Sequence, residues 1–390
     1  MTPARPGLRP MRALPMLEAR REALEKCVFC PKLCRSACPV SNAEPRETIT
    51  PWGKMTLAWM AAHGDVPIDA SHGAPAWACT GCRACRESCD HRNEVADVLL
   101  DARSSLLGGG AAPAAALRVR QRFAAHEERT RAAARRIARH PSVRVGSPDV
   151  LLVGCGYLRA ARAEATAGVD AAAALAGGPV SIFDGCCGLP LRLAGDRDAF
   201  ARHARAVSDA LRGRERLVVI DAGCALALRR AYGDVGVALR TRVELLVDLA
   251  ARSLSSLAPI GDGGGLVRWH DPCQLGRGLG VYEAPRAVLT RLLGRPPDEF
   301  EARREGAACS GGGGLLPATM PATARAIGDA RLASHAESGG GRVVTACASS
   351  LLALRRARAS GAGAAAQVDD LVSWIARGCR GPRGALDRAG

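Results

Sequence analysis

Eight of the sixteen cysteines in this 390-residue chain fall in two tight quartets. The first, Cys27, Cys30, Cys34 and Cys38, reads C-x2-C-x3-C-x3-C and is followed by Pro39. The second, Cys79, Cys82, Cys85 and Cys89, reads C-x2-C-x2-C-x3-C and is followed by Asp90. Disulfides, zinc and iron–sulfur groups all call for thiols this dense. No apolar run reaches the roughly 18 residues of a membrane span. Residues 1–26 are Arg- and Pro-rich without the apolar stretch of a secretory signal, and Arg20-Arg21 runs into "EALEK", which is no twin-arginine pattern. The expected location is the cytoplasm, where lasting disulfides are rare.

Structural zinc usually takes cysteine pairs separated by a longer arm. Quartets favour iron–sulfur chemistry instead, because short loops between three thiolates wrap three corners of one cube while the fourth cysteine reaches the neighbouring cube. The backbone N–H groups of such loops form a concave nest for the sulfides. Crossed ligation then assigns two [4Fe–4S] clusters. Cluster A takes Cys27, Cys30, Cys34 and Cys89, and cluster B takes Cys38, Cys79, Cys82 and Cys85. The extra residue between Cys30 and Cys34 and the Asp90 after Cys89 depart from the usual spacing.

Between the quartets lies "TPWGKMTLAWMAAHG". Thr50 is a candidate N-cap, Pro51 suits a first turn and Gly64 can end the helix. Trp52, Met55, Trp59 and Met60 fall on one face and are expected to pack around the clusters. A second helix is expected over about Val95 to Ser104. Residues 106–147 are Ala/Arg-rich, open with Gly108-Gly109-Gly110, and read as a joint followed by one helix. The formal charge of +16 does not imply nucleic acid, because aromatics make up only 3% of the chain and no basic stripe is interleaved with stacking residues. A basic surface also suits an acidic redox partner or an anionic membrane face.

The other cysteines obey a repeat. "DAGCALALRR" (221–230) aligns with "CASSLLALRR" (347–356), "VELLVDLAAR" (243–252) with "VDDLVSWIAR" (368–377), and "LLVGC" (151–155) with "RWHDPC" (268–273). "GCCGLP" (185–190) aligns with "ACSGGG" (308–313) under a one-residue shift that sets Cys187 against Cys309. Strands are expected at Val150–Val153, Val180–Asp184, Leu217–Asp221, Leu266–His270 and Arg342–Ala346, separated by helices, which is βαβ order and implies one parallel sheet per unit. Binding crevices of such sheets lie at the carboxyl ends of the strands, where these cysteines stand. Unit one offers Cys155, Cys186, Cys187 and Cys224, a candidate metal site. Unit two offers Cys273, Cys309 and Cys347, one thiol fewer. Cys379 reads as structural. No G-x-G-x-x-G follows a strand and no P-loop is present, so no dinucleotide or flavin site is expected; Gly311–Gly314 belongs to the cysteine turn.

The two ferredoxin-type motifs, "GCCGLPLRLAGD", "HDPCQLGRGLGVYEAPR" and "VVTAC" together resemble the paired cysteine-rich, or CCG, domain family of iron–sulfur oxidoreductases. The likeness runs from Cys27 to about Arg377. That family includes the cysteine-rich subunits of heterodisulfide reductase and the iron–sulfur subunits of glycolate oxidase, lactate-utilisation and anaerobic glycerol-3-phosphate dehydrogenase systems. The resemblance implies an α+β chain: an N-terminal extension (1–26), an α-helical ferredoxin-type domain (27–105), a helical linker (106–147), CCG unit one (148–255) and a degenerate CCG unit two (265–380). In its fullest form each unit has five cysteines and holds a non-cubane [4Fe–4S] cluster. Here Asp221 and Ser350 stand where cysteines of the closing C-x-x-C would be, and Ala308 replaces the first cysteine of the second CCG trace. A third cluster is implied in unit one, aided by Asp221, and an incomplete site in unit two, with His270 and Asp271 as supporting groups. The resemblance implies an electron-transfer subunit that serves an FAD-containing dehydrogenase of the 2-hydroxy-acid or glycerol-3-phosphate type and delivers to a quinone or another acceptor, in the cytoplasm and peripheral at the inner face of the membrane. The alternative is a catalytic subunit that splits a disulfide at a CCG site.

Overall fold

The computed structural model describes residues 9–31, 34–261, 265–361 and 365–380. The chain divides into two compact units, one of residues 1–121, 190–197 and 313–324, the other of residues 122–189, 198–312 and 325–390.

The first unit is helical. In helix Pro51–His63 the Thr50 hydroxyl accepts from the Gly53 N–H at 3.0 Å, and Gly64 closes the last turn at φ 78°. An unpaired donor at the start and an unpaired carbonyl at the end are thereby satisfied. The buried face of this helix is Pro51, Lys54, Met55, Ala58, Ala61 and Ala62. Met55 is therefore core as expected, but Trp59 packs only at the core's edge, and Trp52 and Met60 are half-buried. The second helix runs Val95–Gly108, past the expected Ser104, and buries Val98, Leu99 and Leu106. The segment ahead of the first quartet is part of this core, since Met11, Leu14, Leu17 and Leu24 pack into it. Residues 1–8 of the expected extension lie outside the described residues. Asp101, buried, accepts from Arg192 at 2.7 Å and from Arg20 at 2.8 Å.

Residues 106–147 do not form one helix. They form two, Ala114–Gln121 and Phe123–Ile137. Nothing local in the sequence marks the break at Arg122, where the second compact unit begins.

The second unit holds two four-stranded parallel sheets. The first contains β1 (Asp149–Leu152), β2 (Ser181–Ile182), β3 (Arg216–Val219) and β4 (Arg242–Leu245), in the order β2-β1-β3-β4. The second contains β5 (Val267–Trp269), β6 (Asp298–Glu299), β7 (Arg342–Thr345) and β8 (Gln367–Asp370), in the order β6-β5-β7-β8. The identical order makes the repeat a structural one, and the α+β class holds. Sequence reading missed β4, β6 and β8. β6 has two residues and no apolar run, while β4 and β8 open the repeated segments that run on into helices Leu246–Arg252 and Leu371–Arg380. In each sheet the order reverses between the first and third strands, and this switch point is where an open α/β sheet leaves a crevice.

Within this unit the repeats are tied by a buried hydrogen bond, Tyr157 Oη donating to Asp370 Oδ2 at 2.7 Å. Burial pushes the Asp370 carboxyl up to about 7. A raised carboxyl pKa contributes stability that is complete below the unfolded value, near 3.8, and is lost as pH rises through about 7. Asp370→Asn, which keeps the acceptor, is therefore expected to flatten the fall in urea-unfolding stability across that window.

Candidate metal centres

The first unit brings Cys27, Cys30, Cys34, Cys85 and Cys89 around one pocket, together with Lys26, Trp52, His91 and Asn93. Helix Arg21–Val28 carries Cys27, and Cys38 stands just before Pro39, which opens helix Pro39–Ala43. Burial raises the Cys27 thiol to about 12, opposed by a hydrogen bond from Asn93 Nδ2 at 3.0 Å, and the neighbouring charges felt there are Cys34, Cys89 and Cys30. Burial also raises the Cys85 thiol, whose leading charged neighbours are Cys82, Cys79 and Cys38. Cys27 thus feels Cys89 of the second run, and Cys85 feels Cys38 and Cys34 of the first, so the two runs are adjacent.

Four thiolates on one zinc, at about 2.3 Å, stand roughly 3.8 Å apart. Among the described residues, no three of these eight sulfurs lie within 4.8 Å of one another. The spacing does not suit a single ion and leaves room for a polynuclear group. Two buried cations fit an anionic occupant. Lys54, 2% exposed, points its ammonium at Cys38 Sγ, 3.6 Å away, and makes no ion pair with a carboxylate among the described residues. Arg103, also 2% exposed, donates to the carbonyls of Ala76, Leu193, Gly314 and Cys79 at 2.9–3.1 Å, again with no carboxylate partner among the described residues. Burial draws Arg103 down only to about 10, so it stays protonated at neutral pH. A buried charge without a counter-charge is costly, several kcal/mol per ion. A core of iron, sulfide and four thiolates carries about −2 and supplies the missing charge. Gly314 permits this packing, because a Cβ there would stand 2.0 Å from the Cys79 carbonyl oxygen.

Lys54 and Arg103 escaped the sequence reading, although one signal was present. Of 54 basic residues only Lys26, Lys32 and Lys54 are lysine, and Lys54 alone interrupts the apolar face of a helix.

In the second unit Cys155 follows β1, Cys186 and Cys187 follow β2, and Cys224 follows β3, so the thiols gather at the switch point of the first sheet. They stand in a row, Cys155 beside Cys186, Cys186 beside Cys187 and Cys187 beside Cys224, each thiol acting on the next. Asp221 ends the row beside Cys224 and Cys347, accepting from the Ala348 N–H at 3.0 Å, while the Cys347 thiol donates to Gln274 Oε1 at 3.4 Å. Burial raises the Asp221 carboxyl, and the Ala348 N–H opposes the rise. Gly188 makes the turn at φ 78°, with His203 Cδ2 2.6 Å from where a Cβ would stand.

His126, on helix Phe123–Ile137, was missed because it lies in the supposed linker. Its Nε2 is 3.7 Å from Cys186 Sγ, and its ligating atom lies within 4.8 Å of the Cys155 and Cys186 sulfurs. The Arg159 guanidinium donates to Nδ1 at 2.7 Å. An arginine cannot accept, so the ring proton sits on Nε2 and faces the sulfur. Burial, aided by Arg159, lowers the imidazole to about 4 and keeps it neutral. His126 is thus placed as a hydrogen-bond donor to sulfur.

Unit two corrects the alignment. The Gly188 N–H donates to Cys186 Sγ at 3.4 Å, and the Gly311 N–H donates to Cys309 Sγ at 3.3 Å. Both glycines are left-handed, at φ 78° and 82°. Cys309 therefore matches Cys186, not Cys187, and Ala308 matches Gly185. The residue at the Cys187 position is Ser310. Its hydroxyl donates to Ser350 at 3.1 Å, where unit one pairs Cys187 with Cys224. Unit two has exchanged a thiol pair for a hydroxyl pair. Among the described residues its thiols Cys273, Cys309 and Cys347 form no close triad.

Neither expected supporting group reaches a sulfur. His270 is buried, its Nδ1 accepting from Arg331 Nε at 3.2 Å, and burial lowers it to about 3. Asp271 is consumed by structure: Arg286 donates to both carboxylate oxygens at 2.8 and 2.9 Å, and Trp269 Nε1 and the Arg304 N–H at 2.8 Å each. Cys379 stands on the last helix, outside any such group among the described residues.

Residues 23–93 match the 4Fe-4S dicluster domain, and residues 150–229 and 267–355 each match the cysteine-rich domain. The chain belongs to the family of CCG-domain iron–sulfur oxidoreductases. It is 26% identical over 349 residues to one of the subunits of the fumarate reductase (CoM/CoB) of Methanothermobacter marburgensis, covering 83% of this chain and 66% of that protein. It is 38% identical over 81 residues to one of the subunits of the dihydromethanophenazine:CoB–CoM heterodisulfide reductase of Methanosarcina barkeri, covering 21% of this chain and 20% of that protein. A probable membrane-anchored ferredoxin of Chromohalobacter salexigens is 36% identical over 110 residues, covering 28% of this chain and 16% of that protein. The chain thus spans less than two thirds of the length of each of these relatives. As in this CCG family, its cofactors are iron–sulfur groups. No helix among the described residues is long and apolar enough to cross a membrane.

Cys89→Ser is expected to disturb the group held with Cys27, Cys30 and Cys34. Its EPR spectrum in the reduced state should match a Cys27→Ser reference and differ from a Cys82→Ser reference. Cys309→Ser is expected to leave the iron content per chain unchanged.

Proposed function

We propose that this chain is the electron-transfer subunit of an oxidoreductase complex. It takes electrons from a flavin-dependent dehydrogenase of the 2-hydroxy-acid or glycerol-3-phosphate type and delivers them to a quinone or another acceptor, working peripherally at a membrane face. Two [4Fe–4S] groups held by the crossed quartets would supply the one-electron carriers. The observation that carries this reading is the adjacency of the quartets within one helical core, where Cys34 and Cys85 line the same pocket. Asn93 directs a neutral N–H at Cys27, and Lys54 and Arg103 supply buried positive charge beside Cys38 and Cys79. In the CCG part, Cys155, Cys186, Cys187 and Cys224 offer four thiols to a third iron–sulfur group, with the Asp221 carboxylate beside Cys224 and His126 donating to Cys186. Cys273, Cys309 and Cys347, lacking the second and the last thiol of the pattern, are proposed to hold none.

A second reading is disulfide reduction at the CCG site. The ordered thiol row ending on Asp221 beside Cys347 favours it, and heterodisulfide reductase components are among the relatives. The hydroxyl pair Ser310–Ser350 weighs against it, because it removes two soft donors from the facing repeat.

The two readings part in one assay. A relay passes electrons from a reconstituted flavoprotein partner to a quinone analogue and reduces no disulfide when given a chemical reductant alone. Cys187→Ala is expected to slow quinone reduction tenfold or more, and Cys309→Ala to change it less than twofold. Sustained disulfide turnover by the isolated chain, abolished by Cys309→Ala, would establish the catalytic reading instead.

A further inference from the structure

The two quartets offer the same ligand set, four cysteine thiols each, so their ligands alone do not separate them in reduction potential. Their surroundings differ. Beside Cys27 the hydrogen-bonding neighbour is the neutral Asn93 amide, which also donates to the Ala23 carbonyl at 2.7 Å, while Lys26 on the same pocket is exposed and paired with Glu22 at 2.8 Å. Beside Cys38 the corresponding neighbour is the Lys54 ammonium, buried and, among the described residues, without a carboxylate partner. Burial pushes the Cys79 thiol up, and the two leading charges that oppose this are Lys54 and Arg103. No cation stands among the leading influences on Cys27 or Cys34. Reduction adds one electron to a core already at about −2, with no bond made or broken and no proton moved. A fixed positive charge a few ångströms away, shielded from water, favours the added electron far more than an exposed one would.

We infer that Lys54, seconded by Arg103, makes the group held by Cys38, Cys79, Cys82 and Cys85 the easier of the two to reduce, so that an electron entering the chain settles there. This rests on the proposal that each quartet holds a [4Fe–4S] group. Lys54 acts as a positioning charge and not as a ligand. Arg103 is fixed by its four carbonyl bonds and cannot swing away on reduction without leaving four acceptors unpaired.

The test is an EPR-monitored titration of the full chain, purified without oxygen, with dithionite as electron donor. Cys27→Ser and Cys82→Ser label the two spectra. In the wild-type protein, the signal perturbed by Cys82→Ser is expected to develop first. Lys54→Met should move that step alone, by tenfold or more in the reduction equilibrium, about 59 mV for each tenfold change in a one-electron couple. Lys54→Gln, neutral but still able to donate to Cys38, should move it similarly, because charge and not hydrogen bonding is the cause. A first step that belongs to the Cys27 spectrum overturns the inference without any lysine variant. So does a Lys54→Met shift confined to the other step, or an unshifted Lys54→Gln. A protein without two four-iron groups by iron and sulfide count would instead overturn the underlying reading.

Discussion

Eight sulfurs held near one another, yet too far apart to close on one ion, are the constraint around which the N-terminal unit is built. Helix ends and the turns between them place these sulfurs, and the core around Leu24, Met55, Trp77 and Leu99 takes in Cys27 and packs against Cys79 and Cys85. The cost of bringing Lys54 and Arg103 into that core makes sense only with negative charge between them. Four deprotonated thiols around iron and sulfide carry it. Without such an occupant, burial holds Cys27, Cys34, Cys79 and Cys85 as neutral thiols, and the two cations remain uncompensated. Metal and fold should therefore be strongly linked, as they are in small metal-organised domains.

The CCG part follows a different logic, that of a parallel sheet. Cysteines placed after the first, second and third strands meet at the switch point because strand order reverses there. Duplication repeats the geometry, and the repeats have since diverged at equivalent positions. Cys187 and Cys224 in one repeat correspond to Ser310 and Ser350 in the other, and the hydroxyls keep the pairing while giving up the metal affinity. Asp221 and Cys347 are also equivalent by the repeat, and they touch each other. Of the two sheets, the first gathers the fuller donor set.

Much of this was legible in the sequence. Cysteine spacing marked the quartets, and the segments "DAGCALALRR" and "CASSLLALRR" marked the repeat with its correct register. Caps at Thr50 and Gly64 were legible because they depend on neighbours in the chain. The errors concern features decided by distant packing. The glycine turn was misaligned because two cysteines faced one, and only the matching N–H to sulfur bonds at Gly188 and Gly311 reveal which cysteine persists. His270 and Asp271 looked like supporting groups from their proximity to Cys273, but Arg331 and Arg286, remote in sequence, claim them. His126 was invisible for the converse reason, since a helix read as linker carries it to Cys186.

The central claim is that the quartets bind iron–sulfur groups, and that the buried charge of Lys54 and Arg103 is balanced by them. Iron, zinc and acid-labile sulfide, counted per chain on protein purified without oxygen, test it most directly. The account predicts iron and sulfide in equal amounts, about eight of each or more, with little zinc. A folded protein carrying zinc near two per chain and almost no sulfide would contradict it.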